Sequence, residues 1–174
     1  KYPGMPVMLC PFMNYRLGPP KDYAEMWKYV FKNTALGKGD IFCPQDCIGA
    51  GGLILDVYQA WFKELAKAVK TEPGLRFWVD SETFDQTDWT PGSLGRFVKQ
   101  LRGLKGIVEE YVTFAYSHYY SPGAANPEYH KQYVRYVKTG KLDTKPPAAV
   151  PSVTLTKQDN GNVRLNWPAM SGDV

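Results

Sequence analysis

Leu75-Arg76-Phe77-Trp78-Val79-Asp80-Ser81-Glu82-Thr83-Phe84 is the stretch on which the fold turns. The turn pair Pro73-Gly74 precedes it, and Leu75 to Val79 has the apolar, aromatic and β-branched make-up of a strand. The run ends in carboxylates. Alternation along a strand puts Asp80 and Glu82 on one face and Ser81 on the other. Three further segments share the layout. Pro6 to Asn14 ends in Pro11-Phe12-Met13-Asn14. Asp40 to Asp46 ends in Pro44-Gln45-Asp46. Tyr111 to Tyr120 ends in Ser117-His118-Tyr119-Tyr120. Polar and aromatic groups gathered at one end of successive strands are how a (β/α) barrel builds an active site.

Helical patterns separate these strands. Tyr23 to Thr34 places Met26, Trp27, Val30 and Phe31 on one stripe, with Asp22 and Glu25 spaced as a capping box. Leu55 to Val69 carries Val57, Tyr58, Trp61, Phe62, Leu65, Ala66 and Val69 on its stripe. Phe84 to Trp89 reads as a polar loop. Thr90-Pro91 reads as a helix start with Pro at the first position, and that helix runs to about Leu104. A fourth strand lies within Ile107 to Ala115, and Asn126-Pro127 opens a last helix to Tyr136 or Val137. Strand and helix alternate with a period of roughly 35 residues, the rhythm of a parallel sheet with right-handed crossovers. Gly49-Ala50-Gly51-Gly52 lacks the spacing and the Lys of a phosphate-binding loop and reads as a tight turn. An open doubly wound sheet and part of a barrel both satisfy this periodicity.

The composition changes after Lys141. Residues 144–151 form a Pro-rich linker, expected to be stiff. Residues 152–174 hold two alternating strands around Asp159-Asn160-Gly161-Asn162, with Trp167 and Pro168 closing the second. They look like the opening of a β-sandwich of the fibronectin type III kind. Residues 1–143 would then be the α/β domain.

The 174 residues are 44% hydrophobic and 22% charged, ordinary values for a globular domain. A net charge of +4, spread among acidic neighbours, argues against a nucleic-acid partner. No apolar run is long enough to span a membrane. Cys10, Cys43 and Cys47 make an odd count, against a disulfide framework, and His118 and His130 are too few for a zinc site of the usual kind. No metal or cofactor is expected. The aromatic fraction of 14% fits either dense packing or a sugar-binding groove lined by flat rings. The chain opens at Lys1 without a Met, and the full protein is expected to be longer at both ends.

Glycoside hydrolysis needs two carboxyl groups, one to protonate the leaving oxygen and one to attack carbon or activate water. Glu82 is the first candidate, as nucleophile or base; the plainer alternative is a cap on the following loop. Asp80 would orient neighbours or tune Glu82 by like-charge proximity. Asp46 is the second candidate, as general acid or hydroxyl acceptor; its plainer alternative is an Asx turn into Cys47-Ile48-Gly49. Gln45 and Asn14 suit hydroxyl recognition. Tyr15, Trp89, Tyr116 and Tyr119 suit stacking, and His118 could hydrogen-bond a sugar.

Pro11-Phe12 with Asn14, Asp40-Ile41 with Pro44-Gln45-Asp46 and Gly49, Trp78 with Glu82-Thr83-Phe84, and Tyr116-Ser117-His118-Tyr119 together resemble the DUF4434 family over about residues 5–140. Cys47 stands where that family commonly has Gly, and Asp80 where Asn is usual. The resemblance implies a TIM-barrel relative of glycoside hydrolases, found in bacteria including gut Bacteroidetes. It implies that this chain is the C-terminal half of a (β/α)8 barrel, four βα units, with the N-terminal half preceding it in the same protein. Glu82 would lie on the seventh strand and take the nucleophile's place, with its acid/base partner outside this chain. A carbohydrate substrate and a periplasmic, cell-surface or extracellular location are implied. A barrel that binds glycans without turnover is the other expectation.

Overall fold

The computed structural model describes residues 4–124, 127–142, 152–159 and 161–166. Its centre is a parallel sheet of β1 (Met8–Leu9), β2 (Ile41–Phe42), β3 (Arg76–Glu82) and β6 (Glu110–Phe114), in that spatial order. Helices α1 (Pro20–Lys32), α2 (Tyr58–Val69) and α3 (Leu94–Gly103) make the crossovers, and α5 (Pro127–Thr139) follows the last strand. A 3₁₀ turn, Tyr15–Leu17, follows β1, and a four-residue helix α4 (Tyr116–Tyr119) follows β6. Met8 pairs with Ile41 and Ile41 with Arg76; Trp78 to Glu82 pair with Glu110 to Phe114.

Sequence order and spatial order agree, so the sheet winds one way. A doubly wound sheet reverses at a switch point; these strands do not. Right-handed crossovers taken in one direction put their helices on one face. Phe42, Phe77 and Val79 point to that face and join Trp27, Phe31, Phe62 and Leu65 in the main core. Phe42 packs on the aromatics of α1, with ring centroids 4.7 Å from Trp27 and 4.9 Å from Phe31, and Phe77 stacks on Phe62 of α2 at 5.9 Å. Burial of each such side chain contributes about 1.5–3 kcal/mol. Ile41, Arg76, Trp78, Asp80 and Glu82 have the opposite parity. A second core, of Phe84, Leu94, Phe97, Val98, Tyr119, Tyr120 and Tyr129, joins α3 and α5 beyond the strand ends.

Several local expectations are corrected. Helix α1 starts at Pro20, with Pro19 at its cap and no side-chain cap bond; Asp22 sits in the first turn. Proline's fixed φ suits the first helical turn, which has no use for its missing N–H. Met26 is exposed, and Tyr23 and Ala24 share the buried stripe with Trp27 and Phe31. Helix α2 begins at Tyr58 and leaves Val57 exposed. The loop after Glu82 is a small antiparallel hairpin, β4 (Phe84–Asp85) with β5 (Thr90–Pro91). Thr90-Pro91 is therefore a strand, and Ser93 caps α3 by accepting from the Arg96 N–H at 3.2 Å. Proline lacks an N–H and is at home on an edge strand, so Thr-Pro fitted both settings.

The C-terminal hairpin forms as expected. β7 (Thr154–Lys157) pairs antiparallel with β8 (Val163–Asn166), and Gly161 takes a φ of 83° in the turn. Leu155 and Leu165 face each other across it, both exposed. The linker at 144–151, Asn160, and Trp167 with Pro168 lie outside the described residues. No helix among the described residues is long and apolar enough to cross a membrane.

Candidate functional site

β3 runs three residues past its apolar stretch and delivers Asp80, Ser81 and Glu82 to the C-terminal rim of the sheet. Glu82 is 2% exposed. Its Oε2 accepts the Ala50 N–H at 2.6 Å, and the Gly49-Ala50 loop lies directly on it. A Cβ at Gly49 would sit 2.5 Å from the Phe84 carbonyl oxygen and 2.9 Å from the Glu82 Cβ, so only glycine allows this approach. Burial, reinforced by the nearby Asp46 and Asp80 charges, pushes the Glu82 pKa up to about 7 against the opposing pull of the Ala50 and Gly49 N–H groups.

Asp46 lies beneath Glu82 and is fully buried. Its Oδ1 accepts from the Ile48 N–H and the Glu82 N–H, each at 3.2 Å, and its Oδ2 accepts from Gln100 Nε2 at 2.7 Å. Gln100 Nε2 also donates to the Glu82 carbonyl at 3.0 Å. Burial raises the Asp46 pKa to about 6, against these hydrogen bonds. The Asx turn onto Ile48 is present, and Asp46 has no exposed face among the described residues. The expected direct contact of Asp46 with substrate gives way to a supporting position, because its oxygens are already spent on the peptide that carries Glu82.

Asp80 pairs its backbone with the Gln45 segment: the Asp46 N–H donates to the Asp80 carbonyl at 2.9 Å, and the Asp80 N–H donates to Pro44 at 3.0 Å. Asp80 Oδ1 is buried with no partner among the described residues, and burial raises its pKa. The carboxylates at 46, 80 and 82 are therefore brought together, with Gln45 alongside the backbone of Asp80. Cys47 takes a φ of 55°, the left-handed region that favours glycine, which accounts for the glycine expected there. Its buried thiol accepts the Met13 N–H, and burial pushes its pKa far up, so it is no nucleophile in this state.

The remaining candidates spread along the rim. Asn14 caps the turn after β1, accepting from the Arg16 N–H at 2.8 Å, and Tyr15 is exposed. Trp89 is exposed at the hairpin tip and stacks on Phe84. Tyr119 is buried and also stacks on Phe84, while Tyr116 and His118 are exposed on α4. The His118 Nδ1 contacts its neighbour Ser117 Oγ at 3.1 Å. Among the described residues, no group of three or more His, Cys, Asp or Glu side chains could hold a metal.

Three contributors escape a reading of strand ends: Ala50, which acts through its backbone; Arg96, whose guanidinium donates to the Phe84 carbonyl; and Gln100. Only Gln100 leaves a sequence signal, as a polar residue three positions after Phe97 on the buried face of α3.

These features define an α/β protein with a one-way parallel sheet that gathers carboxylates at its C-terminal rim. The chain belongs to the family described as domain of unknown function DUF4434, whose profile matches residues 2–126. A search of the curated proteins gave no match. Among solved structures, the chain is similar to a Bacteroides thetaiotaomicron protein described as a "putative alpha-L-fucosidase", with a TM-score of 0.67 and 20% identity. The match covers 80% of this chain and 45% of that one, so the chain spans less than half that protein's length. At this identity the likeness is one of fold alone.

Proposed function

We propose that the chain is the C-terminal half of a (β/α)8 barrel that processes carbohydrate, with Glu82 as its working carboxylate. The observation that carries this is the setting of Glu82: at the end of a parallel strand, gripped by the Ala50 N–H, with its proton affinity raised to about pH 7. A buried carboxylate poised near neutrality is what proton transfer or nucleophilic attack on a glycoside uses. As nucleophile, the ionised Glu82, covered in this structure by the Gly49-Ala50 loop, would have to be uncovered before it forms a bond to the anomeric carbon while the glycosidic C–O bond breaks, and an acid supplied from the preceding half protonates the leaving oxygen. Asp46 and Gln100 are positioning residues that fix the Glu82 peptide. Asn14, Tyr15, Gln45, Asp80, Tyr116 and His118 are proposed to line the substrate side of the rim, with the buried Tyr119 as backing behind Phe84. The hairpin β7–β8 would open a fibronectin type III-like module, and the protein would work in the periplasm, at the cell surface or outside the cell.

The test is turnover of aryl glycosides, beginning with an aryl α-L-fucoside, by the intact protein and its Glu82→Gln form. Loss of at least about a hundredfold in kcat is expected. Equal rates would remove Glu82 from the chemistry. One observation favours a second reading, a glycan-binding barrel without turnover: Asp46 is fully occupied by hydrogen bonds, so the segment that follows β2 offers Glu82 no free carboxylic partner. On that reading the Glu82→Gln form binds glycan as well as the unmodified protein does.

A further inference from the structure

We infer that Trp89 is the stacking platform of a sugar subsite, offering its indole face to the C–H face of a neutral pyranose. The inference rests on the carbohydrate reading above and adds to it a site, a binding mode and a ligand class. Trp89 is 65% exposed, yet its ring is fixed, lying on Phe84 with centroids 5.3 Å apart and planes 13° from parallel. Phe84 is in turn stacked on the buried Tyr119 at 5.4 Å. The indole therefore has a rigid aromatic backing while most of its surface remains free.

The backbone is set to hold it so. Trp89 takes a φ of 58°, a rare conformation for a bulky residue and costing on the order of 1–3 kcal/mol. The loop sustains this with its own polar groups. The Trp89 N–H donates to the Asp85 carbonyl at 2.8 Å. Asp85 Oδ1 accepts from the Thr87 N–H and hydroxyl, and Asp88 Oδ1 accepts from the Thr90 N–H and hydroxyl. A side chain needed only to cover Phe84 would call for neither the strained backbone nor two consecutive Asx turns. A flat ring that costs little ordering entropy on binding is served by both.

The loop is also registered to the carboxylate. The peptide unit between Gly49 and Ala50 accepts the Gln86 N–H on its oxygen at 3.0 Å and donates its N–H to Glu82 at 2.6 Å. One rigid amide thus joins the base of the Trp89 loop to the proposed reacting group. The charge around the tip selects the ligand. Asp85 and Asp88 flank it, and the Arg96 guanidinium is already engaged with the Phe84 carbonyl and with Asp85. An anionic sugar would meet repulsion there, whereas a neutral pyranose presents its axial C–H groups to the ring and its hydroxyls to the acidic rim.

The test is calorimetric titration of the intact protein with methyl α-L-fucoside, lactose and cellobiose, and with glucuronic acid as the anionic control. At least one neutral sugar is expected to bind, glucuronic acid more weakly than it. Trp89→Ala should weaken that binding about tenfold or more, and Trp89→Phe should keep it within about threefold. Asp88→Ala, which loosens the loop but leaves the indole in place, should weaken it in the same direction. Because Trp89→Ala is no less strained in backbone than the native residue, unfolding is checked by near-ultraviolet circular dichroism, and Trp89→Phe and Asp88→Ala keep the comparison decisive. The platform is overturned if no neutral sugar binds, or if Trp89→Ala and Asp88→Ala both bind with native affinity. Sugar binding that depends on Trp89 in a protein that turns nothing over would leave the platform standing and sink the catalytic reading. Turnover that depends on Glu82 but has the same KM in Trp89→Ala would do the reverse.

Discussion

Gln100 carries more of the site than its place on a helix suggests. One amide nitrogen serves both the Asp46 carboxylate and the Glu82 carbonyl, so Gln100 ties two parts of the rim to helix α3, beside the Arg96 guanidinium on the Phe84 carbonyl. The carboxylates above it set the protein's response to acid. Both pKa values are raised on folding, Asp46 from 3.8 to about 6 and Glu82 from 4.5 to about 7. The folded state therefore binds more protons than the unfolded state between about pH 4 and pH 7. Stability from these groups is fully present below that window and is lost as pH rises through the folded values. The denaturant midpoint should accordingly be lower at pH 8 than at pH 5, and Glu82→Gln should flatten the slope. A slope unchanged in that variant would mean Glu82 is not the buried titrating group. Glu82 and Asp46 stood out in the sequence because each is a carboxylate three residues beyond an apolar strand core, where the strand gives way to loop. Their division of labour was not: it depends on Gln100, 54 positions along the chain from Asp46, and pairing at that separation leaves no local pattern.

At the scale of elements, the long apolar-periodic helices and the strand cores were readable, and the boundaries moved wherever proline offered two solutions. Pro20 opened a helix earlier than the Asp22 capping pattern implied, and Pro91 joined a strand instead of starting α3. The hairpin β4–β5 was hidden because each of its strands is two residues long, too short for alternation to register. The loop from Gly49 to Gly52 read as a turn, and its spatial task emerges only with β3 beside it. Gly49→Ala tests that task. The added methyl would press on the Phe84 carbonyl and on Glu82, both backed by packed residues. A loss of about 1–3 kcal/mol in unfolding free energy is expected, measured by chemical denaturation. Ala50→Ser should cost less, since position 50 meets Glu82 through its N–H and its small side chain is only partly buried against the second core. Equal tolerance at both positions would show that the loop does not seat on Glu82 as described.

For the molecule as a whole, the two outer strands of the sheet, β1 and β6, decide its behaviour in solution. Each has a neighbour on one side only among the described residues. Met8 and Phe114, on these strands, are about half exposed. Unpaired strand edges with apolar neighbours invite pairing with another chain. The 174-residue chain on its own should therefore sediment as species larger than a monomer at micromolar concentration, by analytical ultracentrifugation. A clean monomer across that range would show that the edges are protected. The rhythm of the parallel units was visible in the sequence, but the one-way winding was not, since periodicity counts strands without ordering them. That winding has a consequence for how such a protein can vary. A seam between sheet strands is made by main-chain groups, which every sequence possesses, so a complementary half is not chosen at the seam. On the half-barrel reading proposed above, fidelity between halves would rest on the sheet face opposite the helices, with its row of Ile41, Arg76, Trp78 and Asp80, and those four positions are where halves exchanged between relatives would succeed or fail.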